Sequence, residues 1–199
     1  MCYWGITMPF KNHPTQESSL PTLETGRLIL RPFDLSDAER VRTLAGDPKI
    51  AATTQNVPHP YQEGMAETWI ASHPALFESG EAVNLAVVLK VTGELIGAIG
   101  FVACKRHRRA ELGYWIGVPF WGQGYCTEAA KAVIQYGFEG LGYHKINSCH
   151  IAGNPASGRV MEKSGLTREG VLVDEVFKDG AFHTVMTYGI IRVAESVCH

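Results

Sequence analysis

The segment Trp121-Gly122-Gln123-Gly124-Tyr125-Cys126-Thr127-Glu128 joins a strand-like run, Glu111 to Val118, to a stretch in which Ala129, Ala130, Val133, Ile134, Gly137, Phe138 and Leu141 recur at helical spacing. A glycine turn at such a junction leaves successive backbone N–H groups uncovered, and the helix N-terminus adds partial positive charge. The junction is thus an anion site suited to a pyrophosphate. Taken alone, a Gly-x-Gly is a weak motif and reads more readily as a structural turn. No third glycine completes a dinucleotide fingerprint, and no Gly-Lys-Ser/Thr makes a P-loop.

Length and composition set the frame. A chain of 199 residues, 45% hydrophobic and of formal charge −2, fits one compact domain with a sizeable core. It contains no run of about 18 apolar residues, and Met1-Cys2-Tyr3-Trp4-Gly5 lacks the basic and apolar regions of a signal peptide. The expectation is a cytoplasmic protein with no membrane partner. The cysteines Cys2, Cys104, Cys126, Cys149 and Cys198 are odd in number and widely spaced, which argues against a disulfide framework or a zinc site. The slightly negative balance argues against a dedicated nucleic-acid binder.

Residues 1–22 are expected to form a flexible extension, because Asn12 to Ser19 is polar and without period. Residues 23–192 form the expected single domain, and 193–199 a tail. Arg27 to Phe33 alternates like a strand, and Ser36-Asp37-Ala38-Glu39 reads as a capping box opening a helix with Val41 and Leu44. Residues 50–62, with Pro58 and Pro60, predict a loop; 63–79 predict a helix broken near Pro74. Leu85 to Leu89 and Leu95 to Ala103 predict a hairpin around Thr92-Gly93-Glu94, followed by a strand from Arg109 to Val118 and the helix after the glycine loop. Lys145 to Ile151, a short helix from Asn154 to Ser164, and strands over about 167–177 and 182–191 complete the chain. The order β-α-α-β-β-β-α-β-α-β-β is a mixed α/β (α+β) fold, a sheet flanked by helices.

These segments carry a resemblance. Thr25-Gly26-Arg27-Leu28-Ile29-Leu30-Arg31-Pro32, Glu111-Leu112-Gly113-Tyr114-Trp115-Ile116, the glycine loop, Asn154-Pro155-Ala156-Ser157 and Glu162-Lys163-Ser164-Gly165-Leu166 resemble, in order, the GNAT superfamily of acyl-CoA-dependent N-acyltransferases, in its RimJ/RimL-like branch. The resemblance implies a mostly antiparallel sheet splayed between the fourth and fifth strands, with acetyl-CoA as acyl donor entering the gap. In the family's loop pattern Gln/Arg-x-x-Gly-x-Gly/Ala, the three fixed places fall on Trp121, Gly124 and Cys126, of which only Gly124 is a strict match. The resemblance assigns donor binding to Trp115, Ile116, Gly117 and Val118 of the strand, to Trp121 through Thr127 with Gln123 and Tyr125, and to Asn154, Ser157 and Arg159. Lys163 and the Lys105-Arg106-His107-Arg108-Arg109 run are further candidates for the 3′-phosphate; the run is most simply a solvated hairpin loop.

Strand alternation puts Glu111, Gly113 and Trp115 on one face and Leu112, Tyr114 and Ile116 on the other. By its place in the strand, Glu111 matches the glutamate that in some GNAT enzymes removes the amine proton through water. An ammonium must lose a proton before its lone pair attacks a thioester, and a carboxylate serves as base. A charged strand end paired with Arg109 or with Arg106 to Arg108 accounts for the residue equally well. Many family members supply a tyrosine to protonate the departing thiolate; that place holds Met161 here, and Ser157 matches the serine that relatives offer instead. Asn154-Pro155 followed by a helix and Gly165 is also an ordinary cap arrangement. Tyr114, Asp174 and Glu175 are expected at the acceptor side; the two carboxylates read as an acidic rim suited to a cationic amine or, equally, as solvated strand charges. The eight histidines, His144 and His150 among them, show no His-x-x-x-His spacing, and no metal is expected.

The expected function is acetyl transfer to a primary amine by direct attack in a ternary complex. A protein N-terminal α-amine is the favoured acceptor, with a small amine or antibiotic, or a non-catalytic acyl-CoA-binding domain, as alternatives. The expected state is monomer or homodimer, with no nucleic-acid partner.

Overall fold

The computed structural model describes residues 19–192. Most of the expected extension, 1–18, and the tail 193–199 lie outside the described residues. Leu20, within the expected extension, packs against the core.

Eight strands form one sheet in the order β1-β2-β3-β4-β5-β6-β8-β7. They are β1 (Leu23–Glu24), β2 (Leu28–Arg31), β3 (Ala82–Leu89), β4 (Leu95–Cys104), β5 (Arg109–Ile116), β6 (Lys145–Ile151), β7 (Thr167–Lys178) and β8 (Ala181–Ile191). Every pairing is antiparallel except β5 with β6. The helices are α1 (Ala38–Ala45), α2 (Pro48–Thr53), α3 (Met65–Glu78), α4 (Tyr125–Glu139) and α5 (Pro155–Lys163).

Helices cover both faces of the central strands, which is why β3 and β4 read as nearly continuous apolar runs. Val83, Leu85 and Val87 join Phe101, Leu112, Ala130 and Val133 in the core on the α4 side; Ala86, Val88 and Leu95 meet Val41, Leu44 and Ile70 of α1 and α3 on the other. Phe101, Leu85 and Ile96 are fully buried, and each such side chain contributes roughly 1.5–3 kcal/mol.

Four local expectations are corrected. The capping box lies two residues earlier: Asp34 accepts from Ser36 N at 2.8 Å, and Asp37 accepts from Asp34 N at 2.9 Å. Asp37 rather than Glu39 takes the inner position because Arg31 holds it from β2 by two hydrogen bonds of 2.7 and 2.9 Å. Residues 48–53, partly inside the expected loop, form α2, capped by Asp47 with Pro48 in its first turn. Helix α3 continues through Pro74, since its buried face, Ala66, Ile70, His73 and Phe77, spans that position. Strand β5 ends at Ile116, and residues 118–120 form a 3-10 turn.

The parallel pair β5–β6 is in register only at Arg109↔Lys145, Ala110↔Ile146 and Glu111↔Asn147. Beyond Glu111 the strands separate, so the expected splay between the fourth and fifth anticipated strands is present, between β5 and β6 once β1 is counted.

Candidate active site

The gap between β5 and β6 exposes main chain. Gly117 N donates to Ile96 O of β4 at 2.8 Å, so alternation turns the main-chain groups of Leu112, Tyr114 and Ile116 toward β6. Ser148 Oγ donates to Leu112 O at 2.8 Å, and the Trp121 indole N–H donates to Ile116 O. Tyr114 lies between these two closed positions.

The glycine loop lies at the open end of the gap. Gly122 and Gly124 have φ of +76° and +80°, a region that favours glycine, and Gly124 is the N-cap of α4 with no side chain on the helix's first amides. Those N–H groups face a hollow of about 330 Å³. Its walls include Tyr114, Trp115 and Ile116 of β5, Trp121, Gly122 and Gly124 to Thr127 of the loop and α4, Asn154, Ser157, Arg159 and Lys163 near α5, and Thr53 and Thr54 at the end of α2. Of the residues expected to bind the donor, Gly117, Val118 and Gln123 do not line it. Gly117 is packed against Leu44, and Gln123 turns its amide to Pro119 O. Burial pushes the Cys126 thiol well above its ordinary value, so it is a neutral wall group.

A second hollow of about 200 Å³ lies next to the first, along β5 and β6. Glu111, Gly113, Cys149, Gln55 and Asn56 line it, and it shares Thr53, Thr54, Tyr114, Trp115 and Ser157 with the first. The two spaces therefore meet at the splay. Helix α2, whose residues sequence reading assigned largely to a loop, is part of the wall between them. Asn154 Nδ2 donates to Thr53 O at 3.1 Å, and the Lys178 ammonium donates to Ala51 O and Thr54 O, which pins that wall from α5 and from β7.

At the meeting point Tyr114 Oη lies 2.8 Å from Ser157 Oγ and donates to Ser157 O at 3.1 Å. Asn154 Oδ1 accepts from Ser157 N at 3.2 Å, so the serine is held from both sides. Burial pushes the Tyr114 phenol well above its ordinary value and keeps it protonated. Met161 is fully buried in the core.

Glu111 is exposed, with Oε1 3.6 Å from Cys149 Sγ, whose thiol donates to it; Gln55 Nε2 donates to the same sulfur at 3.1 Å. Burial raises the Cys149 thiol, and the negative charges of Glu111 and Glu175 add to the rise. Glu175 is thus within electrostatic reach of the second hollow, but neither it nor Asp174 lines either space. Asp174 stands at an irregularity between Leu172 and Val176 with φ of +52°. His150 is buried beside α5 with Nδ1 2.8 Å from Ile151 O. Among the described residues, no three His, Cys, Asp or Glu side chains gather as a metal site.

Two residues not singled out for the site brace the loop from below. Glu128 Oε1 accepts from Thr25 Oγ1 at 2.6 Å and Arg27 N at 2.8 Å, and its Oε2 pairs with Arg27 Nε at 2.7 Å. Arg27 Nη1 donates to Gln123 O at 3.0 Å. A hundred residues separate the partners, so only the adjacent motifs, Thr25-Gly26-Arg27 and Thr127-Glu128, offered a signal.

Comparisons with known proteins agree with this geometry. The Acetyltransferase (GNAT) domain family matches residues 27–167. The uncharacterized N-acetyltransferase YoaA of Bacillus subtilis (strain 168) is 33% identical over 178 residues, covering 88% of this chain and 99% of that protein. In fold, the chain is similar to RimL, the ribosomal L7/L12 alpha-N-protein acetyltransferase solved with coenzyme A: TM-score 0.79, 19% identity, 86% of this chain and 98% of that one. It is also similar to the microcin C7 self-immunity acetyltransferase MccE, solved with acetyl-CoA and AMP: TM-score 0.76, 23% identity, 84% and 94% coverage. A splayed β5–β6 pair, an uncapped glycine loop opening α4 and a family match across most of the chain lead to one conclusion: this protein belongs to the GNAT acetyltransferases.

Proposed function

We propose that the protein transfers an acetyl group from acetyl-CoA to a primary amine, the two reactants occupying two adjoining hollows that meet where β5 leaves β6. The observation that carries this reading is the meeting of two hollows at Tyr114, Trp115 and Ser157, where β5 leaves β6. The first hollow suits the donor. The uncapped amides of Gly124 to Thr127 and the positive end of α4 fit a pyrophosphate, Arg159 and Lys163 add cationic charge for a further phosphate, and the exposed main chain of Tyr114 fits an amide-bearing arm. The second hollow, with Glu111 on its wall, suits the amine.

In this arrangement Glu111 accepts the ammonium proton through water. The freed nitrogen attacks the thioester carbonyl, the C–N bond forms, the C–S bond breaks with its electron pair leaving on sulfur, and the surplus proton on nitrogen passes to that sulfur, giving the amide and the coenzyme A thiol. Ser157 donates a hydrogen bond to that thiolate, held in place by Tyr114 and Asn154. Met161 offers no hydroxyl, so the departure depends on the serine. No cysteine enters a covalent step in this reading: the Cys126 and Cys149 thiols are both held above their ordinary values.

The RimJ/RimL-type wording of the sequence favours a protein α-amine as acceptor, with small amines as the alternative. The test is thiol release from acetyl-CoA against N-terminal peptides, polyamines and aminoglycosides. Amine-dependent release by at least one class supports the reading. Tight acetyl-CoA binding with no release for any acceptor in the panel would replace it with a binding domain that lacks turnover.

A further inference from the structure

The conformation of the glycine loop that opens α4 is what aligns the amides, and Trp121 already ties one end of it to Ile116 O of β5. The other end is held by a side-chain network from the N-terminal part of the domain. Glu128 lies in the first turns of α4, where its charge opposes any anion bound at the helix N-terminus. That charge is taken up elsewhere: both carboxylate oxygens are engaged, by Thr25 Oγ1, Arg27 N and Arg27 Nε, in three contacts of 2.6–2.8 Å. The same guanidinium reaches past the ion pair to Gln123 O, inside the loop, and lies over the Tyr125 ring with its carbon 4.5 Å from the centroid. Its remaining nitrogen lies 3.5 Å from where a Cβ on Gly124 would be. One arginine therefore reaches Gln123 and Tyr125 and lies beside Gly124 while pairing with the carboxylate in the first turn of α4.

We propose that Arg27 and Glu128 are positioning residues for pyrophosphate binding, a clamp that fixes the glycine loop with its amides outward and cancels negative charge at the α4 N-terminus. This rests on the reading that the loop holds the donor's pyrophosphate. Arg27 is half exposed and makes no contact with the β5–β6 gap in the structure, so the clamp acts on one part of the donor only. The arm that lies along Tyr114 does not depend on it. A residue that merely stabilised the fold would weaken both parts alike.

The experiment compares binding of coenzyme A and of pantetheine, which lacks the pyrophosphate, to the full chain by calorimetry and NMR titration. The variants are Arg27→Ala, Arg27→Lys, Glu128→Gln and the exchange Arg27→Glu with Glu128→Arg. Expected is a loss of about tenfold in coenzyme A affinity for Arg27→Ala, the scale of one charge-assisted hydrogen bond, with the ratio of coenzyme A to pantetheine affinity falling by the same factor. Arg27→Lys retains charge but loses the fork that reaches Glu128 and Gln123 together, and falls between. Pantetheine binding also reports that each variant is folded. Coenzyme A affinity within twofold of wild type in Arg27→Ala, or equal losses for both ligands, overturns the clamp. Gly124→Val tests the reading beneath it: if that variant leaves coenzyme A affinity unchanged, the loop is not the pyrophosphate site and the clamp's premise fails. If Gly124→Val weakens coenzyme A while the Arg27 variants do not, the premise stands and the clamp alone is refuted.

Discussion

The Tyr114 hydroxyl lies 2.8 Å from the Ser157 hydroxyl, at the point where both hollows meet. Because burial holds the phenol protonated, it remains a donor across the working pH range. When its single proton turns from Ser157 O to Ser157 Oγ, the serine proton is free to point at the sulfur that would depart in the proposed reaction. Ser157→Ala is expected to lower kcat by about 10- to 100-fold, on the scale of removing one positioned donor, with little change in KM for acetyl-CoA. Tyr114→Phe is expected to cost less, and the double variant no more than Ser157→Ala alone, because the two act as one unit. Steady-state kinetics of the four proteins check this, and additive losses would separate the two roles.

Glu111→Gln keeps the shape of the wall of the second hollow and removes the carboxylate proposed as base. The expected loss in kcat/KM is about 100-fold at neutral pH, within the usual range for a positioned general base. The deficit should shrink as pH rises toward the acceptor's own pKa, since solution then supplies the neutral amine. Coenzyme A binding, followed by calorimetry, should not change. A deficit that stays constant across that pH range would assign Glu111 to charge placement instead.

The succession of strands and helices was legible because period and punctuation are local: the alternation from Arg109 onward and the glycine loop each span fewer than ten residues, whereas the splay came only from the resemblance to the GNAT family. Helix α2 was harder to read, although Asp47-Pro48 is a cap and first-turn pair, because Pro58 and Pro60 dominate the window that follows. The capping box shifted because Arg31, on a neighbouring strand, selects Asp37 over Glu39; local spacing alone does not contain that choice. The same holds for the site. Ser157 and Glu111 follow from motif and strand position, whereas the Arg27–Glu128 pair and the Tyr114–Ser157 contact join elements that only the folded sheet brings together.

Gly100 and Gly113 are register partners on β4 and β5, yet their substitutions should behave oppositely. A Cβ on Gly100 would lie 1.9 Å from Val83 O, so the backbone of β3 would have to move; one on Gly113 meets nothing within 4 Å. Gly100→Ala is expected to cost about 3 kcal/mol, the upper end of the usual range for overpacking, because the obstructing atom is main chain. Gly113→Ala should leave stability within about 0.5 kcal/mol but narrow the second hollow and raise KM for the acceptor. Urea unfolding of both variants, with acceptor kinetics for Gly113→Ala, distinguishes the two.

His73 is buried between Phe33 and Trp69, ring centroids 5.3 and 4.4 Å away, and neither ring nitrogen has a hydrogen-bond partner. Burial lowers its pKa from 6.5 to about 4, so the folded imidazole is neutral. The unfolded chain takes up this proton first, and stability falls as pH drops from about 6.5 toward 4, then levels off for this group once the folded imidazole also protonates. The contribution is on the order of 3 kcal/mol over that window. Asp37 adds its own loss below this range: burial raises its carboxyl, but the Arg31 ion pair and the Asp34 N–H together outweigh it and hold the group under the ordinary 3.8. His73→Phe replaces two unpartnered polar atoms by an apolar ring of similar size; it should be neutral or stabilising at pH 7 and should flatten the slope between pH 6.5 and 4. Urea midpoints for both proteins at pH 7, 5.5 and 4.5 test this. Parallel slopes would place the acid sensitivity in another group.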